Sequence, residues 1–253
     1  MAIAASSALP DIDDRLVEPE TRYEMLDGEL IYVAPADPPH AERHVQLCAL
    51  LEAHTGPGFE VACDLLTRTS KVDDFAPDVS VYPAGPDPTT GRRQLEQVVF
   101  ELVSAQAMSV PTRKAAKLAA RGVRRIFAID VTKARALEWS AVEGRWAPLD
   151  AAGEITDPAL AVPLPIASLI RTLNVDDDIA RALVIKRNPV IEAVRAQAKA
   201  ETLIALLAAR GTLTAAQRER VLAERDVAQL EHWIDRAIAG ASVAELLAGS
   251  VSE

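Results

Sequence analysis

The sequence predicts an α/β domain, a mixed sheet flanked by helices, followed by a separate all-helical module. Three observations lead there. Apolar segments over the first 150 or so positions alternate between strand-like and helix-like spacing. Gly and Pro clusters break the chain between them. Beyond Pro163 and Pro165 the composition changes to long runs of Ala, Leu, Arg and Glu. At 253 residues the chain is long enough for one good-sized domain and a smaller appendage.

The elements follow in order. Positions 1–22 read as an N-terminal segment, loose up to about Asp14. Tyr23 to Val33 reads as two short strands around an Asp27-Gly28 turn. Pro35, Pro38 and Pro39 form a loop ahead of a helix over His40–His54, with Val45, Leu47, Cys48, Leu50 and Leu51 at helical spacing. Strands are expected at Phe59–Leu66 and Asp78–Tyr82, then a loop from Pro83 to Arg93 and a strongly apolar strand at Gln97–Ser104. A basic helix over Thr112–Arg121 closes on Gly122. Arg125–Asp130 reads as a buried strand, and Arg135–Trp139 with Arg145–Leu149 as a hairpin around Glu143-Gly144. The domain is thus bounded at 23–170, with a linker at 171–189. The helical module, 190–253, opens at Pro189. It carries an amphipathic stripe of Val190, Ile191, Val194, Ala198, Leu203 and Leu206, then a helix capped by Thr214 with Val221 and Leu222 facing in. A helix over Val227–Ala239 and a short one capped by Ser242 complete it.

Composition excludes several classes. Apolar residues make up 49% and no run of them is long enough to span a bilayer. The first ten residues lack the basic start and long apolar stretch of a signal peptide, which points to the cytoplasm. Cys48 and Cys63 sit in apolar contexts and read as free thiols. The net charge of −10 argues against a nonspecific nucleic-acid coat. The run Arg113, Lys114, Lys117, Arg121, Arg124 and Arg125 contains no acid, however, and is either a solvated helix face or a phosphate-facing surface. No Gly-x-Ser-x-Gly elbow, phosphate loop, CxxC pair or dinucleotide fingerprint occurs. His40 and His44 share a helix face at a spacing that can bind zinc, but the residue after the first histidine is Ala41 rather than the glutamate of a metalloprotease.

The chemistry concentrates on two carboxylates. Asp78 follows Pro77 at the head of one strand, and Glu101 lies inside the apolar run Val98–Val103. A carboxylate in a buried strand is costly unless it is paired or holds a cation. Two acids at neighbouring strand ends can hold Mg²⁺ or Mn²⁺, which would activate a water near neutral pH. Lys114, in the first turn of the next helix, can orient that water and steady developing phosphorane charge.

These landmarks together, namely Asp27-Gly28-Glu29, Pro35 through His40, Pro77-Asp78-Val79, Glu101-Leu102-Val103-Ser104, Lys114, Gly122-Val123 and Ile126–Asp130, resemble the Uma2 family, which is itself similar to the PD-(D/E)XK nucleases. The resemblance covers Tyr23 to Leu149. It implies a restriction-endonuclease-like fold and metal-dependent hydrolysis of phosphodiesters in DNA, with RNA as the alternative substrate. Position by position it gives Asp78 and Glu101 the metal, and Lys114 the role of a lysine moved from its usual strand position, where Val103 stands, onto the next helix. It gives His40 and Glu24 supporting roles. Arg113, Lys117, Arg121, Arg124 and Arg125 would hold the nucleic-acid backbone. The chain departs from the family pattern at Ser104-Ala105-Gln106-Ala107, at Leu118 and at Arg125-Ile126-Phe127. The competing expectation is therefore a silent nuclease-fold module that binds nucleic acid or protein. The tail resembles helical extensions that follow nuclease-like domains in bacteria and is expected to drive a homodimer or other homo-oligomer.

Overall fold

The computed structural model describes residues 9–104, 107–171 and 175–248. The Ala105-Gln106 part of the loop after Glu101 lies outside the described residues. The chain divides into two compact units, Met1–Ala182 and Leu183–Glu253.

In the first unit, β1 (Tyr23–Leu26) and β2 (Glu29–Tyr32) form the expected hairpin. Asp27 and Gly28 both take positive φ, 56° and 77°, as a two-residue turn matched to strand twist requires. Helix α1 spans Pro38–His54, two residues longer than the sequence pattern indicated. Asp37 caps it by accepting from the His40 N–H, and prolines are tolerated in the first turn, whose N–H groups have no intrahelical partner. Strands β3 (Phe59–Cys63), β4 (Thr67–Arg68), β5 (Asp74–Phe75), β6 (Val79–Pro83) and β7 (Val98–Val103) follow. Then come α2 (Ser109–Arg121), β8 (Arg125–Asp130), β9 (Arg135–Ser140), β10 (Arg145–Pro148), β11 (Glu154–Ile155), β12 (Leu164–Pro165), α3 (Ile166–Ile170) and α4 (Val175–Ile185).

The main sheet has six strands in the order β10-β9-β8-β7-β6-β3. Only β7 and β8 run parallel, because α2 carries the chain back across the sheet between them. Alternation along β7 sends Val98, Phe100 and Leu102 into a core shared with Leu47, Leu50 and Leu51 of α1. Val99, on the other face, packs with Ala115 and Leu118 of α2. Glu101 belongs by the same alternation to the α2 side. The fold is the mixed α/β sheet with flanking helices that the pattern predicts.

Several features differ from the sequence expectations. A second sheet, β2-β1-β5-β4, is built partly from two-residue strands too short to show periodicity. Near the end of the stretch expected to be loose, Ile12 is buried; just beyond it, Arg15 and the Leu16 N–H both bind the buried Asp74 carboxylate, at 2.9 and 2.7 Å, and Val17 is buried. The stretch expected as a linker carries α4. Val45 of α1 is exposed, although it falls on the apolar pattern. Cys48 and Cys63 are joined in a disulfide instead of standing as free thiols, because α1 folds back along β3 and brings the two side chains together across 15 residues.

The second unit contains α5 (Pro189–Ala208), α6 (Ala215–Ala223), α7 (Val227–Ile238) and α8 (Val243–Leu247). Asn188, Thr214, Asp226 and Ser242 cap these helices, and Thr214 with Gln217 and Ser242 with Glu245 form capping boxes. Its core centres on Trp233, Leu230, Leu203, Leu207 and Val221. The buried face of α5 runs through Ala196, Ala200, Leu203 and Leu207, while Val190 and Val194 are exposed. A helix this rich in Ala and Val offers two competing apolar stripes. The one with small side chains wins because it lets α7 approach closely. Leu222, expected inward beside Val221, is 39% exposed. Among the described residues no helix is long and apolar enough to cross a membrane.

Candidate active site

The site gathers where β6, β7, α1, α2 and the β1-β2 hairpin meet. Val79 pairs with Phe100, so Asp78, one residue before β6, is brought alongside Glu101. The link is tightened by the Asp78 Oδ2 atom, which accepts from the Leu102 N–H. On its other side the Asp78 carbonyl accepts from His44 Nε2 at 2.6 Å and from the Asp64 N–H at 3.1 Å. The His40 ring lies one helical turn back, its Nε2 at 3.7 Å from Asp78 Oδ1. Interaction with the nearby Asp78 carboxylate raises the His40 pKa above its ordinary 6.5, against desolvation.

Glu101 is 4% exposed, and its Oε1 atom has no hydrogen-bond partner among the described residues. Burial pushes its pKa from the ordinary 4.5 up to about 8. Lys114 opposes that rise, while Asp78, Glu24 and Asp64 add to it. Lys114 is itself buried, and α2 begins three residues earlier than expected, which places it in the second turn. Its Nζ donates to Glu24 Oε1 at 2.8 Å and to the Ala76 carbonyl at 3.0 Å, and it lies 5.5 Å from the centre of the Phe75 ring. Desolvation would lower its pKa, but the charges of Glu101 and Glu24 outweigh it and hold the ammonium above its usual range. Glu24 reaches the site from β1, where its alternation with Tyr23 and Met25 turns it inward. Its Oε1 also accepts from the Ala76 N–H at 3.0 Å.

Asp78, Glu101, Lys114, Glu24 and His40, the residues singled out from sequence, therefore gather in one place. Two further residues join them. They are His44, one helical turn from His40 on α1, and Asp64, which the sequence pattern does not single out. The side-chain ligand atoms of His44, Asp64 and Asp78 all lie within 4.8 Å of one another, a set that Glu101 does not join. Asp64 sits just past β3 with a positive φ of 51°. Partial burial and the Asp78 charge raise its carboxyl, against the pull of His44. Sequence offers no clue to Asp64, which falls inside the expected strand Phe59–Leu66 and owes its place to the pairing of β3 with β6. In donor chemistry the site fits a divalent cation. It offers hard carboxylate oxygens, one of them buried and unpaired, with imidazoles at the edge.

The basic run is heavily engaged with the chain's own acids. Arg113 pairs with Asp27 at 3.2 Å, and Lys117 lies between Asp27 and Asp73 at 2.6 and 2.9 Å. Arg121 donates to the Pro10 carbonyl, Arg124 grips Asp157 with both terminal nitrogens, and Arg125 forks onto Glu138.

A buried acid, a charged lysine and a strand-head aspartate on a mixed sheet define a nuclease-type α/β fold. A crystal structure titled as a putative nuclease belonging to DUF820, from Anabaena variabilis ATCC 29413, is similar at a TM-score of 0.50 and 15% identity, over 61% of this chain and 93% of that one. The Uma2 family model, described as "Putative restriction endonuclease", matches residues 8–171, and the chain belongs to that family. No curated protein matches it.

Proposed function

We propose that the protein is a Mg²⁺- or Mn²⁺-dependent endonuclease that hydrolyses phosphodiester bonds in DNA. The observation that carries the reading is the buried, unpaired Glu101 Oε1 beside Asp78, with Lys114 held as an ammonium between Glu24 and Glu101. An isolated buried carboxylate oxygen is expensive, and a cation is the natural partner that would offset its cost.

Asp78 and Glu101 would hold the ion, with Asp64 and His44 within reach of the Asp78 side. A divalent ion so placed supplies Lewis-acid polarisation of the phosphodiester and lowers the pKa of a bound water. Lys114 stays protonated through the neutral range, so it serves as a donor to the phosphate and not as a base. Two of its three N–H groups are taken by Glu24 and Ala76, leaving one for a phosphoryl oxygen or the attacking water. Glu24 positions Lys114, and His40 bears on Asp78.

A second reading, a silent module that uses the fold for binding, draws on the basic run. Its cations are tied to Asp27, Asp73, Asp157 and Glu138, and the chain is acidic overall. The experiment that separates the two is cleavage of supercoiled plasmid, single-stranded DNA and RNA with Mg²⁺ or Mn²⁺, comparing wild type with Asp78→Ala, Glu101→Gln and Lys114→Ala. Metal-dependent cutting of DNA lost in all three folded variants supports the nuclease. Cutting of RNA alone would move the substrate. No cutting of any substrate, with no calorimetric metal binding, would establish the silent module.

A further inference from the structure

The nuclease reading makes no use of the two cysteines, yet both adjoin the site. Cys48 lies one helical turn beyond His44 on α1, so the two side chains share a face. Cys63 ends β3, immediately before Asp64. The ligand atoms of His44, Cys48 and Cys63 lie within 4.8 Å of one another. One ring nitrogen of that histidine already has a backbone partner. Its Nε2 is committed to the Asp78 carbonyl at 2.6 Å, and Nδ1 has no partner among the described residues. A ring nitrogen bonded to a backbone carbonyl fixes the tautomer and leaves the other lone pair free, the arrangement usual behind metal-bound histidine.

We propose that, with the disulfide reduced, Cys48, Cys63 and His44 form a second metal site, one that takes a thiophilic divalent cation such as Zn²⁺. Two thiolates and an imidazole suit zinc and not magnesium. With Zn–S near 2.3 Å and Zn–N near 2.0–2.1 Å, ligand atoms on a tetrahedral ion stand roughly 3.3–3.8 Å apart. On reduction the two sulfurs must therefore part from bonding distance to reach that spacing, while the imidazole closes by about 1 Å. The Cα separation of 7.0 Å between the cysteines, wider than the roughly 4.4–6.8 Å common for disulfides, lets the sulfurs part around an ion once the bond is reduced. Three protein ligands leave a fourth position for water. The site is chemically distinct from the carboxylate site, although His44 borders both.

Opening the site requires two electrons. A phosphine reductant takes the oxygen of one water to become the phosphine oxide, the S–S bond breaks, and the two protons of that water go to the two sulfurs. Binding of the cation then displaces both protons as the thiolates form.

The test is a Co²⁺ titration of the full chain, reduced with a phosphine and freed of excess reductant, followed by competition with Zn²⁺. The expected result is a thiolate-to-cobalt charge-transfer band that saturates at one equivalent and is abolished by Zn²⁺. Cys48→Ser and Cys63→Ser should each remove the band. His44→Gln should weaken Co²⁺ binding by more than the roughly 10–100-fold that loss of a supporting residue costs. Asp78→Asn should keep the band, which separates this site from the nuclease reading. Absence of the band in a reduced chain with two titratable thiols and native circular dichroism would overturn the proposal. So would a band unaffected by His44→Gln, or a reduced chain that no longer folds.

Discussion

Replacing Glu101 by Gln removes a buried negative charge and leaves the shape of the side chain nearly intact. In the ion-free protein a glutamate whose pKa is raised by folding holds its proton more tightly in the folded chain than in the unfolded one. Its favourable contribution is complete below pH 4.5 and is lost as the pH rises towards 8. The amide cannot ionise, so Glu101→Gln escapes that loss. At about 1.4 kcal/mol per pH unit, the interval from 4.5 to about 8 sets a ceiling of roughly 5 kcal/mol above pH 8, and about 3 kcal/mol at pH 7. For a folding unit of this size, about 3 kcal/mol corresponds to roughly 6–12 °C in Tm.

The assay is thermal and urea denaturation of both proteins in a chelator from pH 5 to 9. Carboxylates remote from the site titrate alike in the two chains, so the difference reports Glu101 together with the neighbours it interacts with. The variant should gain steadily on the wild type as the pH rises and level off above pH 8. Adding Mg²⁺ or Mn²⁺ should then narrow the gap, because the ion favours the ionised carboxylate of the wild type. Saturation at a hundred times Kd contributes about 2.7 kcal/mol. A difference that stays flat between pH 5 and 9 would refute the argument, since Glu101 would then be an ordinary, solvated acid.

Three further outcomes are expected. Lys114→Met leaves Glu24 and Glu101 buried without their cation and should cost about 3–5 kcal/mol in urea denaturation. A smaller loss on adding Glu24→Gln to that variant than to the wild type would reveal the coupling. Asp78→Asn removes the cause that holds the His40 pKa up, so the NMR titration midpoint of its ring proton should fall towards the ordinary 6.5. In the wild type the stability that His40 contributes is present below that value and is lost as the pH rises through its higher folded midpoint; an unchanged midpoint would mean that Asp78 does not govern it. In DNA binding, Arg113→Ala should reduce the slope of log affinity against log salt by about 0.9, the value of one phosphate contact. Lys117→Ala should leave it unchanged, because Lys117 is clamped between Asp27 and Asp73.

The parts of this fold that the sequence foretold are those with long-range periodicity. Strand β7 shows as an unbroken apolar run with one acid in it, and that single anomaly was enough to mark Glu101. Asp78 is marked by Pro77 at the head of a strand, and Lys114 by its place at the start of the helix after β7. Half of the small sheet was invisible because β4 and β5 have two residues each, and the acids beside them, Asp73 and Asp74, are satisfied by distant Lys117 and Arg15. Glu24 could be placed in the site from the family resemblance, but its bond to Lys114 crosses 90 positions and no local pattern encodes it. Asp64 depends on one left-handed residue after β3, and the cysteine pairing on how α1 lies along that strand. Both are consequences of packing.

The energetics of the site also bear on why it has this form. A buried Glu24–Lys114 pair with Glu101 beside it is a poor way to stabilise a domain, because desolvating such charges often outweighs their mutual attraction and an apolar set of equal volume would serve better. The sheet that carries these groups is otherwise backed by apolar side chains, with Phe75, Val99, Phe100 and Phe127 all fully buried. Stability has thus been given up at one point in a core that could have been closed with aliphatic side chains. The cost falls on Glu101, whose unpaired oxygen has no structural use, while Glu24 is fully engaged in holding Lys114. A purely architectural network would satisfy every member before burying it. One in which the positioning acid is satisfied and the strand acid is left open has the order expected of a site that awaits a cation.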